Sequence, residues 1–136
     1  MTVQTAKKSK LKKTNKVKLV AIAKDEAPYI PQWIYHHLSI GIDLIEIHIN
    51  NTTDNSLNIC KKIAKTEKKF VYIKSDKLFL KSQKTGKKFQ LAAYKKSLRR
   101  SRRGLDCATH IHFLDLDEYL VNKKPGDQIT KLIDSS

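Results

Sequence analysis

The residues best placed by type and spacing to do chemistry are Asp115, Asp117 and Glu118, directly after the apolar run 109–114 (THIHFL). A strand alternates its faces, so Asp115 and Asp117 project to one side while Leu114 and Leu116 go to the other. Two carboxylates held that close repel unless a cation sits between them. Hard cations such as Mg²⁺ or Mn²⁺ prefer oxygen ligands and often bridge carboxylates to diphosphate oxygens. A bare D-x-D run is common, however. The same residues also read as a solvated acidic turn, or as carboxylates paired with nearby lysines, and composition alone leaves these readings open. His110 and His112 alternate on the preceding strand, but no cysteine or third ligand matches them. They are read as ordinary, partly buried histidines. His36 and His37 are neighbours on a helix, diverge in direction, and are read as packing or surface residues.

A site needs elements to hold it. The run 17–23 (VKLVAIA) is short, apolar and β-branched, which predicts a first strand buried on both faces. From Tyr29 a helical period follows, with Ile30, Trp33, Ile34, His37 and Leu38 on one face and Gly41 as the stop. The run 44–49 (LIEIHI) predicts a second strand, with Glu46 and His48 on one face. After the polar loop 50–55, Thr53 or Asp54 caps a helix with Leu57, Cys60, Ile63 and Ala64 inward. Residues 70–74 (FVYIK) predict a third strand. The Lys-rich stretch 75–88 gives no clear pattern. Residues 89–103 read as a helix with Phe89, Ala92, Ala93 and Leu98 inward and a basic outer face. The run 109–114 is the fourth strand. Gly126 breaks the chain, and a final helix starts at Ile129.

Strands alternating with helices predict an α/β domain, a three-layer sandwich around a mostly parallel sheet, with ligands at the C-terminal strand ends. Three polar loops fall there: 24–26, 50–54 and 115–118. The length of 136 residues suits one domain, 17–136, behind a basic, disordered tail, 1–16. No run of 18 apolar residues exists to span a membrane. The tail lacks the apolar segment of a secretory signal. Cys60 and Cys107 lack C-x-x-C spacing and are read as reduced, buried thiols of a cytosolic protein.

The net charge of +15 is segregated. Residues 1–16 carry +6, residues 61–103 carry +15, and the remainder carries −6, with its acids at the predicted strand ends. The basic mass invites a nucleic-acid reading, with Phe70, Tyr72, Phe79, Phe89 and Tyr94 among the cations. Those aromatics fall on faces that a core would claim, and no nucleic-acid signature is visible, so no specific nucleic-acid partner is expected. The charge also suits attraction to an anionic membrane surface.

Four ordered motifs carry a resemblance. The run 21–30 (AIAKDEAPYI) with 32–37 (QWIYHH), then 38–43 (LSIGID), 50–56 (NNTTDNS) and 114–120 (LDLDEYL) resemble the opening of the GT-A fold glycosyltransferases, family 2-like and close to the family 92-like group. The likeness spans about residues 17–122. It implies a GT-A, Rossmann-like fold and a nucleotide-sugar donor site. Asp115 and Asp117 would bind Mn²⁺ or Mg²⁺ holding the donor diphosphate, with Asp115 also on the substrate side and Glu118 supporting these ligands from behind. Asp25, Glu26, Asn50 and Asp54 would line the nucleotide pocket, and Gln90 and Tyr94 would lie on its donor side. Trp33, Tyr35 and His36 would pack the first helix on the sheet. Two positions depart from the family pattern: Asp25 replaces an Asn, adding negative charge, and Ile49 replaces an acid. Family domains continue past the D-x-D with acceptor-binding segments. The resemblance therefore implies an N-terminal donor-binding portion, truncated before the acceptor part, with the catalytic base expected beyond Ser136. The implied acceptor is a glycan or a lipid-linked saccharide of surface polysaccharide or lipopolysaccharide assembly. The implied location is the cytoplasm, peripheral at the inner face of the membrane. The alternatives are an inactive remnant and a basic nucleic-acid-binding module.

Overall fold

Val17–Ala23 forms β1, and burial explains its composition. The computed structural model describes residues 16–50, 53–86, 88–104 and 106–121. β1 lies inside the sheet, so its residues are covered on both faces, and only Ile22 is partly exposed. The helix α1 (Ile30–Ser39) has Pro31 in its first turn, where the missing N–H costs nothing. It buries Ile30, Trp33, Ile34 and His37, spaced three and four apart. It ends where Gly41 takes φ +100°, a conformation that side chains resist. Next come β2 (Leu44–Ile49), α2 (Ser56–Thr66), β3 (Phe70–Lys74), α3 (Asp76–Thr85), α4 (Phe89–Arg102) and β4 (His110–Phe113).

The strand order is β3-β2-β1-β4, and all three pairings are parallel. The protein is therefore an α/β, Rossmann-like three-layer sandwich. Leu19, Ala21, Ala23, Ile45, Ile47 and Ile49 share one apolar core with Ile30, Trp33 and Ile34 of α1 and Cys60 and Ile63 of α2. The opposite face, under α4, is different. Lys18 is fully buried there and lies 3.0 Å from Glu46 Oε1 and 2.6 Å from Asp106 Oδ2. Its Nζ also donates to Ser97 O and Ser101 Oγ of α4. Glu46 is also fully buried. Its Oε2 accepts from His48 Nε2 at 2.7 Å, and its Oε1 receives Arg100 Nε at 3.3 Å. A buried charge is tolerable only when paired this thoroughly. Burial raises the carboxyl pKa of Glu46, but the His48 hydrogen bond and the Lys18 ammonium win and hold it at about 2.

Several expectations need correction. The Lys-rich stretch forms α3, closed by Gly86 at φ +72°, and Phe79 meets Phe89 edge-on at 5.4 Å. Within α4, Ala93 and Ser97 are the buried residues, while Phe89, Ala92 and Leu98 are half-buried. The inward stripe is more polar than expected because it faces the Lys18 network. β4 is shorter than 109–114 and, among the described residues, pairs only with β1. At that edge His110 and His112 are exposed, not partly buried. Cys107 is also exposed, at φ +58°, whereas Cys60 is buried and its thiol is pushed up to about 12 by burial. Tyr35 points away from the sheet, being 47% exposed. The tail before Lys16, the break at Gly126 and the helix from Ile129 lie outside the described residues.

Candidate functional site

The chain leaves β1 and builds β2 and β3 on one side, then returns to place β4 on the other. The loops after β1 and β4 therefore part at a topological switch point, where α/β sheets open a crevice. The acids gather there. Carboxylate oxygens of Asp115, Asp117 and Glu118 lie within 4.8 Å of one another, and all three residues are exposed. Leu116 points the other way and is buried, at 1% exposure, as strand alternation requires. The turn is self-bracing: Glu118 Oε1 accepts the Asp115 N–H at 3.0 Å, and the Glu118 N–H donates to Asp115 O. Glu26, from the loop after β1, faces the same cluster. Partial burial raises its carboxyl pKa first, and the charges of Asp117, Asp115 and Asp54 raise it further. An all-oxygen, anionic donor set of this kind matches a hard divalent cation such as Mg²⁺ or Mn²⁺.

Helix α1 clamps this turn from below. Trp33 Nε1 donates to Asp115 O at 3.1 Å and to Glu118 O at 2.9 Å. His36 Nε2 donates to Leu120 O at 2.7 Å. His37 Nδ1 donates to Trp33 O, which leaves Nε2 to accept the Leu120 N–H at 3.1 Å. Burial lowers the pKa of His37 to about 4, and the charges of His36 and His112 act in the same direction. Tyr119 stacks on His37 at 5.6 Å. The two histidines are thus neither idle packing nor surface. They tie α1 to the backbone just past the acids, and the neighbouring His-His pair at 36–37 was the only signal for it in the sequence.

The other predicted residues divide. Asp25, at φ +53°, turns inward to the loop after β2: its Oδ1 accepts from Thr53 N at 2.6 Å, Thr53 Oγ1 and Asp54 N. Asp54 Oδ2 accepts from Ala27 N, and its Oδ1 takes the Ser56 N–H and hydroxyl. These bonds outweigh slight desolvation and hold Asp54 below the usual carboxylate range. The capping expected of Thr53 or Asp54 is done by Asp54, one residue ahead of the N-cap Asn55. Asp25 and Asp54 therefore fasten two loops together. Asn50 is 3% exposed; its N–H donates to Ala23 O, and its Oδ1 has no partner among the described residues. Gln90 is exposed and donates to Tyr94 Oη at 3.2 Å. Tyr94 stacks on Phe113 at 4.1 Å. Burial raises its pKa, and the charges of Asp115 and Glu118 add to the rise, so Tyr94 borders the acidic turn.

Ser75, His48 and Glu46 form a relay with Ser75 Oγ 3.1 Å from His48 Nδ1. Its connectivity is that of a hydrolase, but all three residues are at most 1% exposed, so no substrate reaches the hydroxyl. No protein-family model matches the chain, and no curated protein matches it in sequence. Among the described residues, no helix is long and apolar enough to cross a membrane.

Proposed function

We propose that this chain carries the donor-binding site of a metal-dependent glycosyltransferase of GT-A type. It would act in the cytoplasm on a nucleotide-sugar, with a glycan or lipid-linked saccharide as acceptor. The observation that carries this reading is the gathering of Asp115, Asp117, Glu118 and Glu26 at the switch point of a parallel sheet. Asp115 and Asp117 are the metal ligands, and Glu118 both braces the turn and lies within ligand distance. When bound, Mn²⁺ or Mg²⁺ supplies positive charge against a leaving nucleoside diphosphate. The chain's own residues do the positioning. Trp33, His36 and His37 fix the backbone on either side of the acids. Asp25 and Asp54 hold together the two loops that border the crevice. Asn50 Oδ1, buried without a partner among the described residues, has acceptor capacity left for an N–H or O–H of the ligand. The Tyr94 hydroxyl borders the acids from the β4 side.

Thermal melting of the full chain with uridine and guanosine diphosphate sugars, with and without Mn²⁺, tests the reading. At least one donor should raise Tm only when Mn²⁺ is present, and Asp115→Ala with Asp117→Ala should abolish the rise. The absence of a shift with every donor would overturn the proposal.

A further inference from the structure

The second half of α4 concentrates charge of the opposite sign to the acidic turn. The helix carries five Lys and Arg and no acid. Lys96, Arg99, Arg100 and Arg103 recur at three and four residues, so they share one face. They line a cavity of about 360 Å³, and no other described residue lines it. Like charges at these spacings repel on a bare helix. A helix C-terminus favours cations, but the effect fades beyond the last turn, and Lys96 lies before that turn. Among the described residues, Lys96, Arg99 and Arg103 form no ion pair. Arg100 does: its Nε donates to Glu46 Oε1 at 3.3 Å, and its side chain is 35% exposed. Glu46 is fully buried and is itself held by Lys18 and His48. It therefore fixes the Arg100 guanidinium at the cavity wall and leaves the two terminal amino groups of that guanidinium to the cavity.

We propose that this cavity binds a compact, multiply charged phosphate anion, a di- or triphosphate group. Guanidinium is planar and presents its donors as a fork that matches phosphate oxygens, and three of the four lining residues are Arg. The volume falls at the small end of ligand pockets, which run from about 300 to 1,000 Å³. Such pockets are mostly apolar with a few polar groups. Here every lining side chain is a cation, so the ligand must be anionic throughout rather than amphiphilic. No aromatic side chain lines the cavity to stack a base, which disfavours single-stranded nucleic acid. The cavity is also separate from the acidic turn. Tyr94, in the first half of α4, borders the acids, whereas Ser97 and Ser101 lie against Lys18 near the start of β1. The four cations belong to that second half. The proposal therefore uses none of the acidic residues and is independent of the donor-site reading.

Isothermal titration of the full chain with inorganic tripolyphosphate decides it, in buffer stripped of divalent cations so that the acidic turn cannot take part. Salt is held at about 0.15 M, where charges more than about 8 Å apart are largely screened. The isotherm should saturate at one site with Kd below about 0.1 mM. Arg99→Gln with Arg103→Gln removes two charge-assisted contacts and should weaken binding by about tenfold each, on the order of 100-fold together. Both side chains are exposed and unpaired among the described residues, and an unchanged melting curve will certify the fold. Lys61→Gln with Lys65→Gln removes the same charge from exposed positions on α2, across the sheet, and should change Kd by less than about twofold. Asp115→Ala with Asp117→Ala should bind tripolyphosphate at least as tightly as the unaltered chain. No saturable binding overturns the proposal. So does equal weakening by the two cation pairs, which would mean net charge alone, or loss of binding in the Asp115→Ala, Asp117→Ala variant. If a single-stranded oligonucleotide binds at the same ionic strength and tripolyphosphate does not, the cations serve nucleic acid and the proposal falls.

Discussion

Replacing Trp33 by Phe tests whether α1 shapes the acidic turn. The indole N–H is shared between Asp115 O at 3.1 Å and Glu118 O at 2.9 Å, in a side chain with no exposed surface. Phe keeps the six-membered ring but removes that donor. Asp115 O retains the Glu118 N–H, so Glu118 O bears most of the loss. One hydrogen bond contributes about 1 kcal/mol net, and the missing ring volume costs about another 1–2 kcal/mol. For a domain of this size, that total lowers Tm by roughly 6–12 °C. The informative reading is the gain in Tm from Mn²⁺. A site filled at a hundredfold excess over Kd stabilises by about 2.7 kcal/mol. Loosening the support of a metal ligand commonly weakens binding tenfold or more, which removes about half of that gain. Differential scanning fluorimetry with a Mn²⁺ titration measures both quantities. Ile63→Ala, in α2 and away from the turn, is the matched control: it should lose comparable stability yet keep the whole Mn²⁺ gain. If Trp33→Phe also keeps the whole gain, α1 supports only the fold, and the positioning role assigned to it is refuted.

Three further outcomes follow from the geometry. Glu46→Gln removes one of the two carboxylates around the buried Lys18, leaving Asp106 at 2.6 Å, and should cost about 1–3 kcal/mol in urea unfolding. His37 titrates at about 4 in the folded chain, below its ordinary 6.5, so folding favours the neutral ring. The stability it contributes is complete above pH 6.5 and declines as pH falls towards 4; melting curves across that interval should show the decline, and His37→Gln should flatten it. Asp25→Asn keeps both the Oδ1 acceptor and a side chain tolerant of positive φ, so it should change stability by less than about 0.5 kcal/mol, whereas Asp25→Ala should cost about 1–2 kcal/mol. Chemical denaturation of the two variants side by side distinguishes them.

Much of this fold can be read directly from the chain, and the reasons for success and failure differ by element. The first three strands begin and end where their apolar runs do, because each run is bounded by charged or turn-forming residues. Helix α3 was hidden because Leu78, Phe79 and Leu80 are contiguous, so no helical period stands out among the lysines. The acidic turn was legible as a local run. Its support was not: Trp33 and its acceptors are 82 and 85 residues apart. The ionic layer under α4 was missed for the same reason, since Lys18 finds Ser97 and Asp106 at separations of 79 and 88 residues. One clue was present. A lysine inside an apolar strand must find a carboxylate, and strand alternation puts Glu46 with His48 on one face of the neighbouring run 44–49.

The two cysteines give the molecule its own stability gauge. Cys107 is open to solvent at the edge of the fold, while Cys60 is sealed between α2 and the sheet with its thiol held protonated. A maleimide reagent therefore labels the native chain once and quickly. The second label must wait for the apolar layer to open. The lag between the two additions, followed by mass, reads the opening free energy of that layer without any substitution or fluorophore. Added Mn²⁺ or a nucleotide-sugar can then each be asked, in the same tube, whether it lengthens the wait.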